Sequence, residues 1–166
     1  MPVQIKAEPL DREAWSSFGW IPVPITDPDD GASRLVFEWD DAHLNIVSNR
    51  LDRVAQTDSG MICHAMSRHL THTQALLVLN CPAVVAVAPA SCQLSGPRDL
   101  DEARAFLLRP LDSFVLHRGT WHWGPFPIDE PQVDLFNLQG LRWAEDDDNV
   151  KLGDHGAEFE VITGGR

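Results

Sequence analysis

The sequence contains no hydrophobic run long enough to cross a bilayer, which takes about 20 apolar residues. Its longest run, residues 83–90, is far shorter and contains Pro89. Secretory signals have a continuous apolar centre, whereas the first twenty residues carry Lys6, Arg12 and three acidic side chains. We therefore expect a cytoplasmic protein without a membrane partner.

Clustered positive charge is also missing. Thirteen Lys and Arg stand against 25 Asp and Glu, which gives a net charge of −12. Nucleic-acid binding requires clustered cations that displace counterions, so we expect no nucleic-acid partner. Part of the acidity lies in residues 145–148. We interpret this run as a solvated loop, because it lacks the interleaved spacing of a calcium-binding loop.

Cysteine is sparse. Cys63, Cys81 and Cys92 are an odd number without the spacing of a metal site. A disulfide framework needs paired cysteines in an oxidising compartment. We therefore interpret all three as small hydrophobic side chains in the core.

The sequence does contain many short apolar runs separated by turn residues. Its 166 residues, 43% of them hydrophobic, suit one domain spanning residues 1–166. One short N-terminal helix is predicted, with Asp11 as its N-cap and Gly19 at its end. The polar residues 146–166 predict one or two strands and a frayed tail. The other runs are predicted strands: 34–39, 44–48, 61–66, 73–79, 84–88, 103–108, 113–117 and 133–138. Such a series is typical of an all-β sandwich or barrel.

The seven histidines are the most informative residues, because five of them fall into two windows. His64, His69 and His72 form the first window, and His117 and His122 form the second. Imidazole is the usual ligand of zinc, iron, nickel or copper and the usual acid or base near neutral pH. One site shared by the two windows and separate structural histidines are both open interpretations.

Strand alternation predicts which of these side chains point inward. In the second window, Gly119 permits a turn, after which Thr120 and His122 share a face. His122 would then point inward beside Trp121 and Trp123, which we interpret mainly as packing residues.

In the first window, Ser67 and His69 share a strand face, and a turn at residues 70–72 returns Gln74 towards the same interior. Gln74 begins an apolar strand, where its side chain must bond the backbone or face a cavity. Arg68 lies one position out of phase, so we expect it on the surface.

Five sequence blocks together resemble the ureidoglycolate lyase family, also called ureidoglycolate hydrolases, which are small cupin-fold enzymes. The family pattern PL-x-x-EAF-x-x-FG resembles PLDREAWSSFG (9–19), and E-R-H-P-x-G-T/S-Q-A-F resembles SRHLTHTQAL (67–76). The pattern R-A-F resembles RAF (104–106), and H-R-G/N-x-W-H-H resembles HRGTWHW (117–123). The family's valine-Asp-Phe strand resembles VDLF (133–136). The blocks keep their order from about residue 8 to residue 140. The resemblance implies an all-β, cupin-type double-stranded β-helix (jelly-roll) barrel with a short N-terminal helix.

The resemblance also implies a site. Against the general cupin pattern, His69 and His122 stand at ligand histidines, and Gln74 stands at the Glu position. The implied residues are catalytic His69, His122 and Gln74; substrate-binding Arg34, Arg50, His117 and Trp121; and metal-ligating His69, Gln74 and His122. The metal would be a divalent ion such as nickel, zinc, manganese or iron, to which His64 or His72 could add a ligand. The alternative is a metal-free pocket in which histidines act as acid and base.

The implied activity is carbon–nitrogen lyase chemistry, which splits a hemiaminal such as ureidoglycolate into glyoxylate and urea. The partners would be a small-molecule carboxylate substrate and, as is common among cupins, a second copy of the chain in a homodimer. The family's Glu, Pro and Gly are replaced here by Ser67, Leu70 and His72. Two alternatives therefore stay open: a diverged cupin enzyme acting on another small α-hydroxy acid or hemiaminal, and a non-catalytic small-molecule-binding cupin.

Overall fold

The computed structural model describes residues 2–31, 33–39 and 41–164, and these form a nearly all-β structure. Two single-turn α-helices, α1 (Arg12–Trp15) and α2 (Trp143–Asp146), and three 3₁₀ helices, Leu51–Arg53, Pro97–Glu102 and Leu152–His155, interrupt the strands. The strands are β1 (Val3–Pro9), β2 (Gly19–Trp20), β3 (Ala42–Arg50), β4 (Ala55–Gln56), β5 (Gly60–Cys63), β6 (Ala65–His69), β7 (Gln74–Val78), β8 (Ala83–Ala88), β9 (Arg104–Leu108), β10 (Ser113–Leu116), β11 (Trp121–Pro127), β12 (Gln132–Gly140), β13 (Asp147–Lys151) and β14 (Phe159–Ile162).

The strands form two sheets that face each other. The larger sheet has the order β13-β6-β11-β8-β9-β1-β14-β5-β4, and the smaller one has the order β2-β10-β7-β12-β3. Strands distant in sequence are neighbours, since β6 pairs with both β11 and β13 in antiparallel orientation. β1 is parallel to both β9 and β14. The arrangement is the predicted jelly-roll barrel of the cupin type.

The larger sheet is covered on both faces, which produces two cores. Along β8, Val85 and Val87 pack between the two sheets with Phe114 and Leu135 of the smaller sheet. The alternate positions of β8, such as Ala86, pack into a second core on the other face. Alternation between two apolar environments explains why all six residues of β8 are hydrophobic and buried.

The N-terminal helix places one tryptophan in the inner core. The Asp11 side chain accepts hydrogen bonds from the backbone N–H groups of residues 13 and 14, as expected of an N-cap. Trp15 is fully buried, and its indole N–H donates to the Val115 carbonyl at 3.0 Å. The prediction that Gly19 ends the helix is wrong, because α1 ends at Trp15 and Gly19 begins β2. A Cβ on Gly19 would lie 1.7 Å from the Val115 carbonyl oxygen, so this position requires close approach to β10.

Six of the eight predicted strands lie in the expected places, and two differ. Residues 34–39 form no regular strand, and Phe37 makes a single bridge to His72. The run 61–66 is divided between β5 and β6, which pair with different partners. Residues 146–166 contain two strands, β13 and β14, while the end of the predicted tail, residues 165–166, lies outside the described residues. Among the described residues, no helix combines the length and apolar character of a membrane span.

Candidate active site

One end of the barrel interior is polar. The alternation of β3 places His43 and Asn45 on its inner face, and Gln139 and Asn137 lie directly opposite them on β12. Gln74, the first residue of β7, donates through Nε2 to Asn137 Oδ1 at 2.8 Å, and Asn137 donates to Asn45 Oδ1 at 2.8 Å. This chain of amides fixes the orientation of Gln74, and its side chain makes no hydrogen bond to the backbone of any described residue.

Three histidines lie beside these amides. His69 ends β6, His72 lies in the turn to β7, and His122 belongs to β11. The His69 ring is stacked on the His72 ring with 4.4 Å between centroids, and it lies 5.2 Å from the His122 ring. The structure therefore brings the two histidine windows of the sequence together in one cluster.

His72 is held by a buried carboxylate. Its Nδ1 lies 3.0 Å from Asp146 Oδ2, and the side chains are 3% and 2% exposed. The backbone N–H of Thr71 donates to both carboxylate oxygens of Asp146 at 2.9 and 3.1 Å. Gly140 provides the space for the ring, since a Cβ there would lie 2.9 Å from His72 Nδ1.

The other two histidines also have an oxygen near Nδ1. His122 Nδ1 lies 3.1 Å from the Thr120 carbonyl oxygen. His69 Nδ1 lies 3.6 Å from Asp147 Oδ1, which is too long for a hydrogen bond. The carbonyl oxygen favours a proton on Nδ1 of His122 and leaves the lone pair of that ring on Nε2.

Burial lowers the pKa of every imidazole in the cluster. The pKa of His69 falls to about 3, first because of burial and then because of the adjacent His122 and His72 rings. Burial is also the largest cause of the lowered pKa values of His72, where Asp146 acts in the opposite direction, and of His122. The three rings are therefore neutral near neutral pH, which is the form in which imidazole binds a metal ion.

The cluster fits a divalent metal ion. Four buried atoms lack a hydrogen-bond partner among the described residues: His43 Nδ1, His69 Nδ1, His72 Nε2 and Gln74 Oε1. Leaving a buried polar atom without a partner costs about 1–3 kcal/mol, so such atoms favour a cation or the donors of a ligand. His69, His72 and Asp146 each offer one potential ligand atom, and these three atoms lie within 4.8 Å of one another.

A groove at the rim carries positive charge close to the cluster. It has a volume of about 360 Å³ and is lined by Trp20, Ser33, Arg34, Val36, Thr73, His117 and Arg118. Arg118 is paired with Glu38 at 2.9 Å, whereas Arg34 makes no ion pair with any residue that the structure describes. Val36 bonds the Thr73 hydroxyl through its N–H at 2.9 Å, which places the groove next to Gln74.

Two predicted substrate-binding residues lie away from the histidines. Arg50 is on the outer face of β3, paired with Asp52 at 2.6 Å, and Ala42 at the other end of β3 faces Gly140. Eight strand residues span about 26 Å, so Arg50 cannot reach the cluster. Trp121 lies on the opposite face of β11 from His122, buried in the second core, with its N–H donating to the Cys92 carbonyl at 2.9 Å.

Other residues of the two motifs lie largely as alternation predicts. Ser67 pairs with His122 across the strands and is bonded to Asn149. Arg68 lies on the other face, where it pairs with Asp148 at 2.8 Å and stacks on Trp121 at 4.2 Å. The three cysteines are buried, as expected.

The sequence interpretation missed the carboxylates of the site. Residues 145–148 are not simply a solvated loop, because Asp146 is only 6% exposed and Asp147 pairs with His69 across β13 and β6. Nothing in the sequence distinguishes Asp146 from its acidic neighbours. In the sequence, His72 is a weaker candidate for the site than His69. Asn137 is recognisable there only as a polar residue in an apolar strand.

Gly140→Ala is expected to disturb the site more than the fold. The new methyl group displaces the His72 ring, and such overpacking costs about 1–3 kcal/mol. We expect a measurably lower midpoint of thermal unfolding and a loss of turnover of about tenfold or more. Gly96→Ala is the control, because a Cβ on Gly96 would meet no described atom within 4 Å. Equal unfolding midpoints and equal turnover in the two variants would show that Gly140 does not support His72.

A family model decides the classification. The model described as ureidoglycolate lyase matches residues 36–155. The chain belongs to this family. The match covers the histidine cluster, Gln74 and Asp146, and it begins after the N-terminal block at residues 9–19. Membership of the ureidoglycolate lyase family indicates that the chain is an enzyme, a lyase. A comparison with curated proteins gave no match.

Solved structures similar to this chain include three enzymes. The dTDP sugar isomerase of Desulfovibrio desulfuricans is 9% identical, with 82% of each chain covered and a TM-score of 0.46. The L-ribose isomerase of Cellulomonas parahominis is 15% identical over 76% of this chain and 64% of that chain, with a TM-score of 0.45. The oxalate decarboxylase of Lactobacillus farciminis is 15% identical over 73% of this chain but 31% of that chain, with a TM-score of 0.43. Similarity at this level indicates no substrate.

Proposed function

We propose that this ureidoglycolate lyase family member cleaves ureidoglycolate, or a closely similar hemiaminal of glyoxylate, at the histidine cluster. The observation that carries the proposal is the contact of His69 with His72 and His122, three neutral imidazoles at the polar end of the barrel. The groove containing Arg34 is lined in part by Thr73, the residue between His72 and Gln74. A small carboxylate held in the groove would present its neighbouring carbon to the cluster.

The reaction requires one proton acceptor and one proton donor. The hydroxyl on C2 of ureidoglycolate loses its proton, its oxygen forms the aldehyde of glyoxylate, and the C2–N bond breaks. The electron pair of that bond goes to nitrogen, which takes up a proton to give urea, so no water is consumed. His69 and His122 are the candidates for these proton transfers or for holding an ion that assists them.

Substrate orientation is assigned to Gln74 and Arg34. The Gln74 amide is fixed by Asn137, and its Oε1 has no partner within residues 2–31, 33–39 and 41–164. When no ion occupies the cluster, this oxygen can accept a hydrogen bond from an N–H of the urea group. The guanidinium of Arg34 can bond the carboxylate bidentately. These contacts hold C2 between the groove and the imidazoles.

A divalent ion is part of the proposal. His69 and His122 with Gln74 would hold it, and when bound it supplies Lewis acidity that lowers the pKa of the C2 hydroxyl. The candidates are nickel, manganese, zinc and iron. The buried atoms without partners, His69 Nδ1 and Gln74 Oε1, support a cation at this place.

Release of glyoxylate tests the proposal. Purified protein is incubated with ureidoglycolate after loading with nickel, manganese, zinc or iron, and in parallel without added metal. We expect glyoxylate above the uncatalysed rate in at least one preparation. Unchanged ureidoglycolate in every preparation of folded protein would contradict the proposed substrate.

Arg34→Ala is expected to raise KM for ureidoglycolate about tenfold or more while kcat changes less. The loss of a hydrogen bond between charged groups costs about 1.5–3 kcal/mol. Arg34→Lys should recover only part of the affinity, because Lys cannot bind bidentately. Arg109→Ala is the matched control, since its side chain is 82% exposed and pairs with Asp112 at 3.8 Å. An unchanged KM in Arg34→Ala would remove Arg34 from the substrate site.

A second candidate is the cleavage of a different hemiaminal or α-hydroxy acid. It is favoured by Ser67, which stands where the family pattern has Glu, on the strand position facing His122. Ser67→Glu tests it: a gain in glyoxylate release from ureidoglycolate would indicate that the substitution redirected the site. An unchanged or lower rate would remove the support for this candidate.

A further inference from the structure

We infer that His72 is a ligand of the divalent ion through Nε2, and that Asp146 is the carboxylate that orients it and is not itself a ligand. The inference deepens the proposed function and rests on it for the presence of an ion. The resemblance implied the ligands His69, Gln74 and His122, to which either His64 or His72 could be added; the inference selects His72.

The orientation of His72 carries the first step. Asp146 Oδ2 lies 3.0 Å from Nδ1 of a ring that is only 3% exposed. A carboxylate at this distance holds a proton on Nδ1 and thereby places the lone pair on Nε2. Nε2 is buried, and none of the described residues offers it a hydrogen-bond partner. A buried lone pair that is fixed in this way and has no hydrogen-bond partner is available to a metal ion.

Both carboxylate oxygens of Asp146 already take part in other buried contacts. Both of its oxygens accept the backbone N–H of Thr71, and one of them also faces His72 Nδ1. Use of this carboxylate as a ligand would break bonds that are buried and cannot be replaced by water. A carboxylate that bonds a ligating histidine from outside is a common arrangement in metal sites, and its loss typically lowers metal affinity by about 10–100-fold.

Of the two neighbouring histidines, His122 shares the pattern and His69 does not. His122 Nδ1 faces the Thr120 carbonyl oxygen at 3.1 Å, and His69 Nδ1 faces Asp147 Oδ1 at 3.6 Å. Nε2 of His72 and of His122 is thus left for the ion, whereas on His69 the buried nitrogen without a partner among the described residues is Nδ1. Three imidazoles form a donor set used in catalytic zinc sites. His72 therefore supplies a third imidazole beside His69 and His122.

A cobalt(II) titration of metal-free protein tests the inference. Binding is followed by the visible absorption of cobalt, which reports the ligand set, and by calorimetry for the dissociation constant. The variants are His72→Ala, Asp146→Asn and His72→Phe, which keeps a ring against Gly140 in case the alanine variant fails to fold. The matched control is Glu158→Gln, because Glu158 pairs with the exposed His64 Nδ1 at 2.6 Å.

The expected result is one cobalt ion per wild-type chain and a loss of affinity of more than about a hundredfold in the folded His72 variants. Asp146→Asn should bind about 10–100-fold more weakly with an unchanged absorption spectrum, since the ligands stay the same. Glu158→Gln should bind as the wild type does. Wild-type affinity in a folded His72 variant, an altered spectrum in Asp146→Asn, or no cobalt binding by the wild type would each overturn the inference.

Failure of the inference and failure of the proposed function are distinguishable, because the titration contains no substrate. Cobalt binding that depends on His72, without glyoxylate release under any metal, contradicts the function alone. Glyoxylate release together with cobalt binding that is unchanged in the His72 variants contradicts the inference alone.

Discussion

His122→Ala is expected to lower glyoxylate release from ureidoglycolate by about a thousandfold or more while the protein still folds. The ring contacts His69 on the inner face of β11, so its removal takes away either a proton-transfer group or a metal ligand. A positioned acid or base contributes about 10²–10⁴-fold to a rate. The measurement is kcat/KM at saturating metal, with circular dichroism to verify the fold.

His64→Ala is the control for this experiment. His64 belongs to the same sequence window as His69, but its side chain is 54% exposed and bonds Glu158. We expect its activity to equal that of the wild type. Turnover by His122→Ala within about tenfold of the wild-type rate would show that chemistry does not occur at the cluster.

Trp15→Ala is expected to produce a large loss of stability. The ring is fully buried, with centroids 4.9 Å from Phe114, 5.2 Å from Phe106 and 6.0 Å from Phe18. Truncation of such a side chain costs about 3–5 kcal/mol, and it also leaves the Val115 carbonyl without the indole donor. The free energy of unfolding from urea titration measures the effect.

Trp39→Ala provides the comparison, since Trp39 is 50% exposed. We expect its free energy of unfolding to change by about 0.5 kcal/mol. A loss below about 1 kcal/mol in Trp15→Ala would mean that the N-terminal helix does not close the inner core. In that case the aromatic cluster would not be the element that joins the helix to the barrel.

Much of the barrel could be predicted because its strands are short and bounded by turn residues. The run 84–88 and the alternation at 133–138 both became strands with buried inner faces. Residues 34–39 have the same apolar character, but their backbone hydrogen bonds to other described residues are those with the turn at residues 71–73: Glu38 N–H to the Thr71 carbonyl and Thr73 N–H to the Val36 carbonyl. Strand formation there depends on a partner edge, which local sequence does not encode.

The site was predictable only where strand alternation decides side-chain direction. His69 and His122 lie on inner faces, as the alternation of their strands requires. Arg50 was misplaced because the inner positions of β3 are the odd-numbered ones, and register cannot be read from a strand with apolar residues on both faces. Asp146 becomes important only through tertiary contact with His72.

The products of doubly labelled ureidoglycolate test the central claim most directly. With ¹³C in the carbamoyl group and ¹⁵N at both nitrogens, NMR distinguishes intact urea from ammonia and carbonate. Cleavage of the C2–N bond at the histidine cluster predicts one urea, with both nitrogens still on the labelled carbon, for each glyoxylate formed by the wild type and none above background by His122→Ala. Labelled ammonia as the enzymatic product, or equal urea formation by both proteins, would contradict it.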